Sequence, residues 1–135
     1  MALPNGAGGY QVGDGNLNEV ILGYEATPQT ATSTATLTAA QVTGGILVAN
    51  PSTSAATYTL PTAASIDAIV SSAKVGSSFE LIVVNTGTSS GTVTLATATG
   101  ITDGGNAFVA VAITSSAQFT FRKTGDAAWT VYKTA

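Results

Sequence analysis

The stretch QFTFRKTGDAAWTVYK, residues 118–133, predicts a β-hairpin. A turn of Thr, Gly, Asp and Ala separates two runs in which apolar and polar side chains alternate. Phe119 and Phe121 therefore share one face of the first strand, and Trp129 and Val131 share one face of the second. Pairing of these side chains across the hairpin is expected to anchor a hydrophobic core.

Shorter strands are predicted upstream of the hairpin, over residues 30–37, 46–49, 57–60, 79–84, 92–97 and 108–113. One short helix is predicted over about residues 62–74, because Thr62 or Ser65 can cap it and apolar residues follow at helical spacing. No clean internal repeat is visible. The expected fold is all-β, a β-sandwich or jelly-roll-like domain over residues 26–135.

Residues 1–25 differ from the rest and predict an extended, glycine-rich N-terminal arm. Fixing its backbone costs about 25–50 kcal/mol. Offsetting the lower figure requires burial of on the order of 1,000 Å² of apolar area, which a neighbouring subunit offers more readily than one small domain. The large side chains of the arm are therefore expected to bind a partner: Tyr10, Val12, Leu17, Val20, Ile21, Leu22 and Tyr24. A disordered terminus is the alternative interpretation.

The charge content indicates a surface made to be covered. Only 8% of the 135 residues are charged, against about 25% in ordinary soluble domains. Hydroxyls cost less to desolvate than ions. The net charge of −3 favours neither nucleic acid nor anionic lipid as a partner.

No stretch approaches the roughly 20 apolar residues of a membrane helix, and the start lacks the features of a signal peptide. Synthesis in a cytoplasm is expected.

Enzymatic activity, a cofactor and a metal site are not expected. The chain has no Cys and no His, which removes the thiolate nucleophile, the commonest general base and the commonest transition-metal ligands. The acidic residues are scattered, and no Gly-x-Ser-x-Gly motif is present. Turn chemistry explains Asp14 to Asn16 and residues 103–106 better than calcium binding does. Residues 6–9 lack the Lys-Ser or Lys-Thr of a phosphate-binding loop.

The basic residues of the hairpin leave two interpretations open. Arg122 and Lys123, with Lys133 nearby, are candidates for binding an acidic patch on a partner. Alternatively, they form a charged edge that discourages strand-to-strand aggregation. A sugar-stacking platform is a further option for the aromatic residues, although packing is their commoner use: Tyr10, Tyr24, Tyr58, Trp129 and Tyr132.

Four segments resemble small virion proteins of tailed bacteriophages, especially marine ones: TLTAAQVTGGIL (36–47), YTLPTA (58–63), FELIVVN (79–85) and FRKTGDAAWTVY (121–132). The resemblance covers about residues 30–135 and implies a head decoration, or cement, protein. Such proteins bind the outside of an icosahedral shell, often as trimers over threefold positions, and brace it against internal DNA pressure. The resemblance therefore implies the major capsid protein and further copies of the chain, as a homotrimer, as partners. It also implies a place on the exterior of the capsid, and it supplies no catalytic motif.

Two other functions compete with this interpretation. Similar segments also occur in phage fibre proteins, so a tail fibre or adhesin module that binds host surface glycans is the alternative. That function predicts an exposed aromatic cluster. A polysaccharide hydrolase would require two of the scattered carboxylates in one cleft, which nothing in the sequence favours.

Overall fold

The computed structural model describes residues 22–135, which form nine strands and two short helices. In chain order the elements are β1 (Gln29–Ala31), β2 (Ala35–Thr36), α1 (Ala39–Thr43), β3 (Ile46–Ala49), β4 (Ala56–Thr59), α2 (Ala63–Ile69), β5 (Ser78–Asn85), β6 (Val93–Ala96), β7 (Ile101–Asp103), β8 (Ser115–Gly125) and β9 (Ala128–Lys133). The predicted mostly β fold is confirmed.

The first half of the described chain winds back and forth between two sheets. The large sheet has the strand order β1-β3-β5-β8-β9-β7, and the small sheet has the order β2-β4-β6. Strands β1, β3 and β5 are parallel neighbours, and so are β2, β4 and β6. Each coil of the chain thus places one strand in each sheet, and the next coil stacks beside it, as in a short parallel β-solenoid.

These coils repeat a short sequence pattern, which corrects the expectation that the chain has no internal repeat. TLTA (residues 36–39) of the first coil corresponds to TLPTA (residues 59–63) of the second. Leu37 and Leu60 follow neighbouring strands, and both are buried in the core. The insertion of Pro61 and the unequal lengths of the intervening loops hide the repeat in the sequence.

Each of the first two coils continues into a capped helix. Thr38 caps α1, where its hydroxyl accepts from the Gln41 amide and the Gln41 side chain accepts from the Thr38 amide. Thr62 caps α2, which confirms the predicted start. The predicted end near residue 74 is wrong, because Val70 leaves helical geometry with φ −104° and ψ 55°. Helix α1 was not predicted, since its five residues are too few to show a helical period.

The finer prediction of a jelly roll is not confirmed. Among the described residues, five of the seven strand pairings are parallel, whereas a jelly roll consists of antiparallel Greek keys. The predicted strand over residues 30–37 is divided into β1 and β2 by a bend. The predicted strand over residues 108–113 is wrong, since that segment makes only an isolated bridge between Val111 and Val93.

The C-terminal hairpin of β8 and β9 forms as predicted and lies in the large sheet between β5 and β7. Phe121 lies opposite Val131, and both are buried together with Phe119 and Trp129. Phe79 of β5 stacks on Phe121 with 4.8 Å between ring centroids and meets Trp129 edge-on at 5.3 Å. This aromatic group packs β5, β8 and β9 together on the core face of the large sheet.

One core spans the two sheets and both helices. Leu47 and Leu81 point into it from the large sheet, and Tyr58 and Leu95 from the small sheet. The Tyr58 hydroxyl donates to the Thr32 carbonyl at 2.7 Å, which ties the bend between β1 and β2 to the core. Burial raises the pKa of this phenol, so it remains a hydrogen-bond donor.

Candidate interaction surfaces

The first described residues project from the domain. Residues 22–28 form neither helix nor strand. Leu22 is 87% exposed and Tyr24 is 93% exposed, although both are large and apolar. This exposure agrees with the expectation that they bind a partner, which itself stays a prediction. The other predicted arm residues lie outside the described residues: Tyr10, Val12, Leu17, Val20 and Ile21.

The base of the projecting segment lies close to the turn between α1 and β3. A Cβ atom added at Gly45 would lie 2.5 Å from a carboxylate oxygen of Glu25. One added at Gly44 would lie 3.1 Å from Cγ of Gln29. Gly45 also has a φ of +92°, which favours glycine. The segment therefore leaves the domain beside these two glycines, next to the β1 edge of the large sheet.

The predicted basic patch of the hairpin does not form as expected. Arg122 is exposed on the outer face of the large sheet. Lys123 faces the core and is only 8% exposed, because successive strand residues point to opposite faces. Lys133 is half-buried. Of the predicted pair, Arg122 remains available to a partner, whereas the ammonium of Lys123 is occupied inside the domain.

Lys123 belongs to a nearly buried polar cluster that sequence reasoning missed. Its Nζ lies 2.5 Å from Oδ1 of Asp67 in α2, and the two side chains are 10% and 20% exposed. The same carboxylate accepts from Nε1 of Trp129 and from the Ala127 amide, both at 2.8 Å. Nζ also lies 5.6 Å from the centroid of the Trp129 ring. One carboxylate thus joins the helix to both strands of the hairpin.

The cluster makes stability depend on pH. The hydrogen bond from Lys123 holds the pKa of the Asp67 carboxyl below its ordinary value of 3.8, with smaller contributions in the same direction from Trp129 and Ala127. A carboxyl whose pKa is lower in the folded state stabilises the fold above its unfolded pKa and loses that effect as pH falls through the folded pKa. We therefore expect the free energy of unfolding to decrease below about pH 4.

Urea denaturation at several pH values from neutral to acidic checks this expectation. The replacement D67N should remove part of the decrease on the acid side. Equal pH profiles for the wild type and D67N would contradict the assignment of this titration to Asp67.

Asn85, at the end of β5, organises a second buried polar site. Its Nδ2 lies within 2.9–3.1 Å of the carbonyl oxygens of Gly91, Val111 and Ala112. Its Oδ1 accepts from the Gly87 amide at 2.8 Å. The side chain is 1% exposed. These hydrogen bonds join the β5–β6 loop to the segment before β8, so the Asn85 side chain has a structural role.

A shallow, hydroxyl-rich groove opens beside Asn85. Its walls contain no charged and no aromatic side chain, and they consist of Val84, Asn85, Thr86, Thr114, Ser115 and Ser116. Because the Asn85 amide is used internally, the polar groups that the groove offers are mainly hydroxyls, and most of its accessible lining is apolar. This chemistry points to no particular ligand class.

Two kinds of site considered from the sequence, a metal site and a sugar-stacking platform that includes Tyr58 and Trp129, do not form within residues 22–135. No group of three or more acidic residues in this range could hold a metal ion. Tyr58 and Trp129 are buried, so they cannot stack on a sugar at the surface. Tyr132 is partly exposed and Tyr24 projects on the N-terminal segment. Neither helix in this part of the chain has the length and apolarity to cross a membrane.

Comparisons with protein-family models, with curated proteins and with solved structures find no match for this chain.

Proposed function

We propose that this chain is a structural protein of a bacteriophage particle that binds the outer surface of the capsid and stabilises it through protein contacts. Its proposed partners are the major capsid protein and further copies of itself, as a homotrimer. The resemblance of residues 30–135 to small virion proteins motivates the phage context, and the surface of the domain supports a binding role.

The observation that carries the proposal is the nearly complete exposure of Leu22 and Tyr24. Burying one such side chain contributes about 1.5–3 kcal/mol, so leaving both in water forgoes a large stabilisation. Within the domain they contribute little to folding. A partner surface that covers them gains that free energy on binding.

The remaining surface is also suited to being covered by protein. Asp67 and Lys123 pair inside the domain, which leaves few charges on a surface rich in Ser and Thr. Such a surface gives up little hydration when a partner covers it. Arg122 remains as an exposed donor for a carboxylate on the partner.

Removal of residues 1–25 tests the role of the arm. The truncated chain is expected to fold, because every described strand and helix begins at Gln29 or later. It is also expected to lose binding to shells purified without this protein. Circular dichroism and thermal unfolding check the fold, and co-sedimentation with shells checks binding.

A double variant and a single-residue control sharpen this test. L22S/Y24S should weaken shell binding by at least about tenfold, whereas V75S, which alters another exposed apolar residue, should bind as the wild type. Undiminished co-sedimentation of the truncated chain would contradict the arm's role.

A further inference from the structure

The outer face of the large sheet carries a compact aliphatic patch, which we name the β3–β5 patch. It consists of Ile46 and Val48 of β3 with Ile82 and Val84 of β5. The two strands are in register, with Ile46 opposite Ile82 and Val48 opposite Val84. All four side chains are half-buried and none packs against the core, whereas the residues between them face inward.

The surroundings of the patch are polar but uncharged on two sides. Thr30 of β1 lies beside Val48, and Ser116 and Gln118 of β8 lie beside Val84 and Ile82. Branched aliphatic side chains within such a rim resemble the core and rim of a protein interface. The patch is therefore suited to an apolar protein segment without charge.

The chain itself carries a segment of this kind. Leu22-Gly23-Tyr24 is apolar and uncharged, and it lies near the β1 edge, one strand away from the patch. This segment does not lie on the β3–β5 patch of the same chain, because the side chains of Leu22 and Tyr24 are almost fully exposed. Val20 and Ile21 precede it in the sequence and extend its apolar character.

The spacing of the two features also agrees. In an extended chain Leu22 and Tyr24 would lie on one side, about 6.6 Å apart. The two rows of the patch, Ile46 with Ile82 and Val48 with Val84, are likewise two residues apart along their strands. An extended segment lying along the strands would thus place one large side chain over each row.

We propose that the β3–β5 patch binds the Leu22–Tyr24 segment of a second copy of this chain. The contact joins two different surfaces, so each copy offers one segment and one patch. Such head-to-tail contacts close into a ring or continue as a chain of subunits. The proposal rests on the self-association included in the proposed function and names the two surfaces that form the contact. It is tested without shells, so its outcome is separate from that of the capsid-binding test.

The first test measures self-association of the full chain by analytical ultracentrifugation over a wide concentration range. The wild type is expected to form assemblies larger than a monomer. V48T/V84T keeps the branched shape of both side chains and should weaken association by at least about tenfold. L22S/Y24S should have the same effect. V109T makes the same chemical change at a residue outside the patch that is 55% exposed, and should associate as the wild type.

Mixing the two double variants gives the decisive result. L22S/Y24S retains an intact patch, and V48T/V84T retains an intact segment. At a concentration where each variant alone is monomeric, an equimolar mixture should therefore form a heterodimer that grows no further. A wild type that stays monomeric, a V48T/V84T variant that associates normally, or a mixture that stays monomeric would each overturn the proposal. Circular dichroism and thermal unfolding check that each variant is folded.

Discussion

Replacing Asp67 by asparagine is expected to lower the free energy of unfolding by about 3 kcal/mol at neutral pH. The change leaves the Lys123 ammonium without its anionic partner in a site where its side chain is 10% exposed. It also puts an NH₂ group among donors, because Nε1 of Trp129 and the Ala127 amide both point at this side chain. Removing one partner of a buried ion pair typically costs about 3–5 kcal/mol. The lower value is expected here because Asp67 retains some contact with water.

Urea denaturation at neutral pH measures this loss. The matched control is E80Q, which neutralises an exposed carboxylate on β5 and should change stability by less than about 0.5 kcal/mol. The double variant D67L/K123M should recover part of the loss, because it removes both charges. A D67N variant as stable as the E80Q variant would contradict the expectation that burying the Lys123 ammonium requires the Asp67 carboxylate.

Replacing Asn85 by aspartate is expected to cost about 4 kcal/mol at neutral pH. The two hydrogens of Nδ2 disappear, and a carboxylate oxygen then faces the carbonyl oxygens of Gly91, Val111 and Ala112. These surroundings would raise the pKa of the new carboxyl in the folded state. The destabilisation should therefore become smaller at acidic pH.

Denaturation at neutral and at acidic pH measures both effects. The matched control is N50D, because the Asn50 side chain is used only as an acceptor, from the Ser52 amide, in an exposed turn. Aspartate can fill that role, so N50D should be nearly neutral. If N85D and N50D are equally stable, the hydrogen bonds of Asn85 do not hold the two loops together.

The sequence was sufficient to predict the elements that rest on local pattern. Period-two alternation identified the hairpin of β8 and β9, and the apolar run identified β5. Thr62 identified the start of α2. The same alternation places Lys123 on the face of Phe119 and Phe121. A lysine in that register indicates an internal carboxylate partner.

The winding of the chain could not be predicted in the same way. The strands of the first two coils are only two to four residues long, so each gives a weak signal of its own. Parallel pairing of β1, β3 and β5 connects residues far apart in the sequence, and no local pattern specifies it. The role of Asn85 is equally non-local, since its partners at Val111 and Ala112 are 26 and 27 residues away.

The patch on the outer face illustrates a further limit. A run such as Phe-Glu-Leu-Ile-Val-Val predicts a strand with two apolar faces, and one buried face is enough to account for the fold. Only the arrangement of β3 beside β5 shows that the second faces join into one patch. The sequence likewise does not show that Leu22 and Tyr24 are exposed, because this depends on how the rest of the domain folds.

The copy number of this chain in purified phage particles tests the proposed capsid role most directly. Quantitative mass spectrometry against the major shell protein gives this number. We expect a ratio near one, or near one trimer for each threefold position of the shell. A few copies per particle would place the chain in the tail or a fibre, and its absence from particles would contradict the proposed function.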